Sequence, residues 1–407
     1  MRAVLLILTL SGVATATPAP AQAPASKPGR ECVRINDSPN ALGDWDAQER
    51  NRKLWIEACK QALALEPDNK RLQSATARAY SADGRKAEAL AIWRELGSQG
   101  DANALHEIYD VYKSYYRTVS DQPQLVTRAE AEAALRGAAE LGHPYATWLL
   151  AVLLDRGSTV KRDPAGAVHW AQRAMTRPPE NTTAADIEAR LGHFLTKSPD
   201  AEQRQRGIDT LEKYSNVRGR GDAKAYLAIA IRQQDPVRAR SLLETALKDA
   251  PGHAIPPLAD MLIKGEGGPR DAKRALSLLT GRLASDVAAV KAAHGRLMIE
   301  GRLIPQNIPE GIQLLRRDAV WSLETQMEVM AHLRANPQVA IDRPQTFLYD
   351  ALEAADLDEP GMLAAVLDLK LSDNVQFKDR DGACKLVDKY AKEGREAAVS
   401  RQRACKG

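Results

Sequence analysis

Apolar and small residues recur three and four positions apart along most of the chain, and strict alternation is rare. The pattern is clearest between Glu140 and Ala174. Ala146, Leu149, Leu150 and Leu153 fall on one helical face. Gly157 follows them and suits a left-handed helix end. Asp163 is a good N-cap, and Pro164 at the first helical position loses no needed hydrogen bond. Ala167, Trp170, Ala171 and Ala174 then form the returning face. The segment predicts two antiparallel helices whose small side chains permit close approach. One such hairpin cannot bury its own faces, so copies are expected on either side.

The copies are present. Ala223, Leu227 and Ile231 precede Asp235-Pro236 and a helix with Ala239, Leu242, Leu243 and Ala246. Leu258, Ala259, Leu262 and Gly265 precede Asp271, Ala275, Leu278 and Leu279. Ala288, Ala292, Gly295, Leu297 and Gly301 precede Gly311, Ile312, Leu314 and Leu315. The period drifts between about 31 and 39 residues, as loops of variable length allow. Further copies are read at 45–69, 71–96, 184–216, 322–357 and 358–394, with a break at Pro178-Pro179.

This pattern resembles the Sel-1-like repeat, a relative of the tetratricopeptide repeat. Residues 140–174 match best, with Trp170 where the family usually carries an aromatic. Leu242 and Leu278 stand near that position in two other copies. The resemblance extends over most of residues 45–395. It implies an all-α solenoid of stacked helix-turn-helix units, roughly nine to ten hairpins in all. It also implies a non-catalytic scaffold or adaptor for other proteins, in envelope polysaccharide export or in regulation of a sensor kinase. Export scaffolds of this type are often lipoproteins, and Gly29-Arg30-Glu31 before Cys32 lacks a lipoprotein signal.

The N-terminus changes the compartment. Arg2 and the apolar run from Ala3 to Leu10 precede small-x-small sites at Ala14–Ala16 and Ala19–Ala21. This reads as a cleaved secretory signal peptide, with periplasmic destination. The apolar run is well short of the ~20 residues a membrane span needs. Signal peptide and leader are assigned to 1–25, an N-terminal extended segment to 26–44, the solenoid to 45–395 and a C-terminal cap segment to 396–407.

Four cysteines allow three pairings. Ends held apart by a solenoid favour the local one, Cys32 with Cys59 and Cys384 with Cys405. Unpaired buried thiols are the alternative.

Charge and candidate chemistry add less. The net charge of +4 over 407 residues, without a basic run carrying aromatics, gives no case for nucleic acid. Residues 342–381 hold ten acids against four bases, and 264–317 hold ten bases against five acids. Such patches can steer a partner, although ordinary solvated helix faces account for them too. Tyr109, Tyr112 and Tyr116 share one helical face before a long loop, Thr118 to Thr127. They are either a binding strip, which makes a glycan or peptidoglycan module the second reading, or rings packed between repeats. His106-Glu107 lacks the second histidine of a zinc-protease motif, and no phosphate loop or Gly-x-Ser-x-Gly occurs. His143 and His253 occupy equivalent helix starts, which points to a repeat role. Asp163, Asp235 and Asp271 are expected to cap second helices. No catalytic set, metal or cofactor is expected.

Overall fold

The structure, a computed structural model, describes residues 23–24, 26–36, 45–117, 125–157, 160–281, 287–319, 322–356 and 361–406. Nearly all of the predicted signal peptide and leader, residues 1–25, lies outside these, as does most of the loop read from Thr118 to Thr127. The described residues are helical, with no strand among them. The chain divides into two compact units, Met1–Ile108 and Tyr109–Gly407.

The first unit contains α1 (Lys27–Asn36), α2 (Trp45–Leu65), α3 (Lys70–Ala82), α4 (Lys86–Ser98) and the start of α5 (Ala102–Arg117). Within the segment 26–44, expected to be extended, Lys27–Asn36 is helical, and 37–44 lie outside the described residues. Tertiary packing accounts for this. Cys32 and Val33 are buried with Trp55, Ile56 and Cys59 of α2, and the Trp55 indole donates to the Cys32 carbonyl over 3.0 Å. Asn69 caps α3 by accepting from the amides of Arg71 and Leu72. Trp93 and Leu90 of α4 are almost fully buried.

The second unit continues with α6 (Arg128–Glu140), α7 (Pro144–Arg156), α8 (Pro164–Thr176), α9 (Ala184–Thr196), α10 (Ala201–Ser215), α11 (Gly221–Ile231), α12 (Pro236–Ala246), α13 (Pro251–Lys264) and α14 (Ala272–Thr280). It ends with α15 (Ala288–Glu300), α16 (Ile308–Ala319), α17 (Leu323–Ala335), α18 (Pro344–Asp356), α19 (Met362–Leu371), α20 (Arg380–Lys392) and α21 (Glu396–Val399). Helices pack on their chain neighbours from α6 to α17, and α17 and α18 both pack on α19. This is the stacking of an α-solenoid. The proline pair at 178–179 interrupts the chain but not the stack, since α8 packs on α9.

The hairpin joints follow the sequence rules closely. Asp163, Asp235 and Asp271 each accept an amide hydrogen bond in the first turn of the second helix, at 2.9 Å. Asp379 does the same for α20. Gly157 adopts φ +71° at the end of α7, a conformation that strains any residue with a Cβ. Thr183 caps α9 in a reciprocal box with Asp186, so the Asn181-Thr-Thr183 stretch has a structural use as a helix start.

Two hairpins are drawn closer still by facing glycines. A Cβ on Gly295 of α15 would sit 2.6 Å from the Gly311 carbonyl of α16, and the reverse distance is 2.7 Å. Gly192 and Gly207 repeat the arrangement between α9 and α10.

One group reaches far along the second unit. The Glu353 carboxylate of α18 accepts from the Tyr112 hydroxyl at 3.2 Å and from the Arg128 amide at 3.1 Å.

Candidate functional site

First helices of successive hairpins lie side by side, α9 on α11, α11 on α13 and α13 on α15. Ends of α7, α13, α15, α17 and α19, with the residue after α9, open onto a cavity of about 1150 Å³ within the second unit. One wall comes from the end of α7 (Asp155, Arg156), the turn into α8 (Lys161, Arg162) and Lys197 just past α9. The facing wall comes from the first turns of α13 (Gly252, His253), α15 (Ala288, Ala289), α17 (Leu323, Glu324) and α19 (Met362), with Val287 and Met327 beside them.

The charged wall is mostly cationic. Lys197 binds the buried Asp155 carboxylate through both oxygens, at 2.8 and 2.9 Å. Arg162 lies 3.9 Å from Glu324 across the opening, where both side chains are exposed and water weakens the pair. Arg156 and Lys161 form no hydrogen bond or ion pair among the described residues. Four cations therefore face two carboxylates. Burial lowers the Lys197 ammonium below its ordinary value, Asp155 opposes that, and the charges of Arg190 and Arg162 add to it.

A stack of rings runs along the same first helices. His193 of α9 lies on Tyr226 of α11 with centroids 4.0 Å apart, and Tyr226 meets His253 of α13 at 5.0 Å. Arg190 donates to the Tyr226 hydroxyl, which also lies 3.3 Å from His253 Nε2. The buried Arg190 Nε and His193 Nδ1 have no hydrogen-bond partner among the described residues. Burial draws the Arg190 guanidinium down to about 10, helped by Arg156.

The same environment keeps these histidines neutral. Burial, then the charges of Lys197 and Arg190, hold His193 well below the ordinary 6.5. His253 and His294 are also lowered, chiefly by burial. An unfolded chain would protonate them first, so it binds more protons in acid. Their contribution to stability is complete above pH 6.5 and is lost as pH falls below it. The apparent melting temperature should therefore drop between about pH 7.5 and pH 5.5, with the loss concentrated in α9–α15 by amide exchange.

The residues singled out from sequence fall as follows. Cys32 is bonded to Cys59 and Cys384 to Cys405. Tyr109 and Tyr112 are 3% and 7% exposed, so neither ring offers a face to a ligand. The Tyr116 side chain lies outside the described residues. His143 and His253 do not share a role. His143 caps α7, its Nδ1 accepting from the Ala146 amide, whereas the N-cap position of α13 is Ala250 and His253 points to Tyr226 and the cavity. Arg156, Lys161 and Arg162 form a local basic cluster that the sequence displays. Nothing in the sequence links that cluster to Lys197 or to the starts of α15 and α19.

Among the described residues, no group of three or more His, Cys, Asp or Glu side chains could hold a metal ion, and no helix is long and apolar enough to cross a membrane.

The family model of the Sel1 repeat matches residues 144–175 and 258–280, the hairpin α7–α8 and most of α13–α14. No curated protein matches the chain. Among solved structures, a protective antigen of uropathogenic Escherichia coli with an SLR fold is 16% identical, covering 91% of this chain and 81% of its own, at TM-score 0.39. A Sel1 repeat protein from Oxalobacter formigenes is 20% identical over 77% and 89%, at 0.38. Yeast Tom70 is 14% identical over 88% and 85%, at 0.41.

Proposed function

From the two Sel1 repeats matched in the chain, we infer that it is a non-catalytic scaffold that holds other proteins in the periplasm. Repeat scaffolds of this kind generally serve protein–protein interaction. The observation that carries the reading is the large cavity built by the ends of first helices from seven segments, lined with charge on one side and apolar atoms on the other. Two disulfides favour an oxidising compartment, and the charged start with its apolar run favours export. Within the envelope, the reading covers a role in polysaccharide export or in binding the outer domain of a sensor kinase.

The test is crosslinking in intact cells, followed by purification of the protein and mass spectrometry of crosslinked peptides. The expected result is a small set of enriched envelope proteins joined through Lys161 or Lys197. Recovery of glycan fragments with no enriched protein would replace the scaffold reading with a glycan-binding one.

A further inference from the structure

We propose that the cavity of the second unit recognises an acidic, aliphatic peptide segment of the partner protein. This rests on the scaffold reading and names the partner's chemistry.

The cations come from three separate places, Arg156 at the end of α7, Lys161 in the following turn and Lys197 after α9. Among the described residues, Arg156 and Lys161 have no carboxylate partner. A ligand that meets both, and the exposed Arg162, must present more than one negative group. Arg156, Lys161 and Arg162 are exposed at the rim of the cavity, so water and salt screen them and their pull on an anion is strongest at low ionic strength.

The facing wall adds to this preference. Second helices of the repeats are capped by aspartates, as at Asp163, Asp235, Asp271 and Asp379. Of the four helices whose first turns form the facing wall, α17 is capped by the Ser322 hydroxyl and the other three are not capped by a side chain. The N-cap positions of α13, α15 and α19 are Ala250, Val287 and Gly361, none of which supplies a side-chain cap. Their first-turn residues line the cavity, and uncapped amides at a helix start favour an anion. The nitrogens of Arg190 and His193 that lack a partner among the described residues lie beyond Tyr226 on the stack that ends at His253, outside the cavity lining.

The apolar atoms decide what carries the negative groups. Val287, Leu323 and Met327, each half-buried, line the cavity with apolar atoms that an inorganic anion or a sugar acid would leave uncovered. The volume also exceeds the ~300–1,000 Å³ usual for small-molecule sites. A short stretch of chain alternating carboxylate and aliphatic side chains fits both walls at once.

The test titrates the full-length, disulfide-intact protein into a fluorescein-labelled octapeptide of alternating glutamate and leucine, read by anisotropy at low salt. The glutamate peptide should bind at least about tenfold tighter than its glutamine counterpart, with the difference shrinking as salt rises. Arg156→Ala with Lys161→Ala should remove most of that difference. If this double variant melts early, Lys161→Ala alone is used, because Lys161 lies in a turn. Equal binding of the two peptides, or unchanged selectivity in the variant, overturns the proposal. So does tighter binding of an oligogalacturonate. If the peptides show no selectivity while crosslinked partners persist in cells carrying the double variant, the scaffold reading stands and the acidic-peptide inference alone falls.

Discussion

Replacing Gly295 by valine should destabilise the α15–α16 hairpin by ~3 kcal/mol, one of the largest losses a single substitution can cause in this chain. Two effects compete. Removing a glycine from a helix interior gains at most about 1 kcal/mol of helix propensity, and less for a β-branched residue. Against it stands a Cβ 2.6 Å from the Gly311 carbonyl oxygen, with two further methyl groups behind it. That oxygen belongs to the facing helix backbone, so no side chain can rotate away. The helices must separate, and the buried Ala292, Ile312 and Leu315 lose contact. Because a repeat array does not melt as one two-state unit, a single melting temperature would blur the result. Amide exchange resolves it. Protection should fall across α15 and α16 and their neighbours, and stay unchanged in α3 and α4. Full protection at α15–α16 would show that the crossing tolerates a side chain.

Removing the Cys32–Cys59 bond, by Cys32→Ala with Cys59→Ala, should cost the first unit ~3–4 kcal/mol in the loop-entropy account. The bond closes a sequence separation of 27 and fastens α1 to α2. Both sulfurs are fully buried, so the variant also leaves small voids beside Trp55 and Val33. Urea unfolding of the variant should show an early transition with α1 released, detectable by proteolysis between residues 37 and 44. The Cys384–Cys405 bond, with separation 21, ties α20 to the final turn of 3-10 helix, and its loss should release only that turn and α21. A first unit equally stable with and without its bond would show that packing alone holds α1.

Most of the fold could be read from the chain because the rules involved are local. Asp163, Asp235 and Asp271 announce their helix starts within three residues, and Gly157 announces an end within one. Alanines at helical spacing show which faces meet. The helix at Lys27–Asn36 escaped this reading because its partner is α2, across a stretch with no periodic signal. The tyrosine cluster was visible as a face, yet period alone does not tell whether a face looks inward; Tyr109 and Tyr112 do. The cavity escaped for a third reason. Lys197, His253, Ala288 and Met362 have no shared spacing, and only the stack brings them around one space.

The reach of Glu353 bears on how the second unit assembles. Docking one hairpin on the next involves residues close in the chain, and such contacts form quickly. The bonds from Tyr112 and Arg128 to Glu353 span 241 and 225 residues, so they form only after every intervening hairpin is seated. Assembly thus separates into a rapid zippering from neighbour to neighbour and one slow closing event. The cavity, whose two walls are separated by 55 residues between Lys197 and Gly252, acquires its finished outline at the end of that sequence, and a chain stalled partway would be largely helical yet lack it.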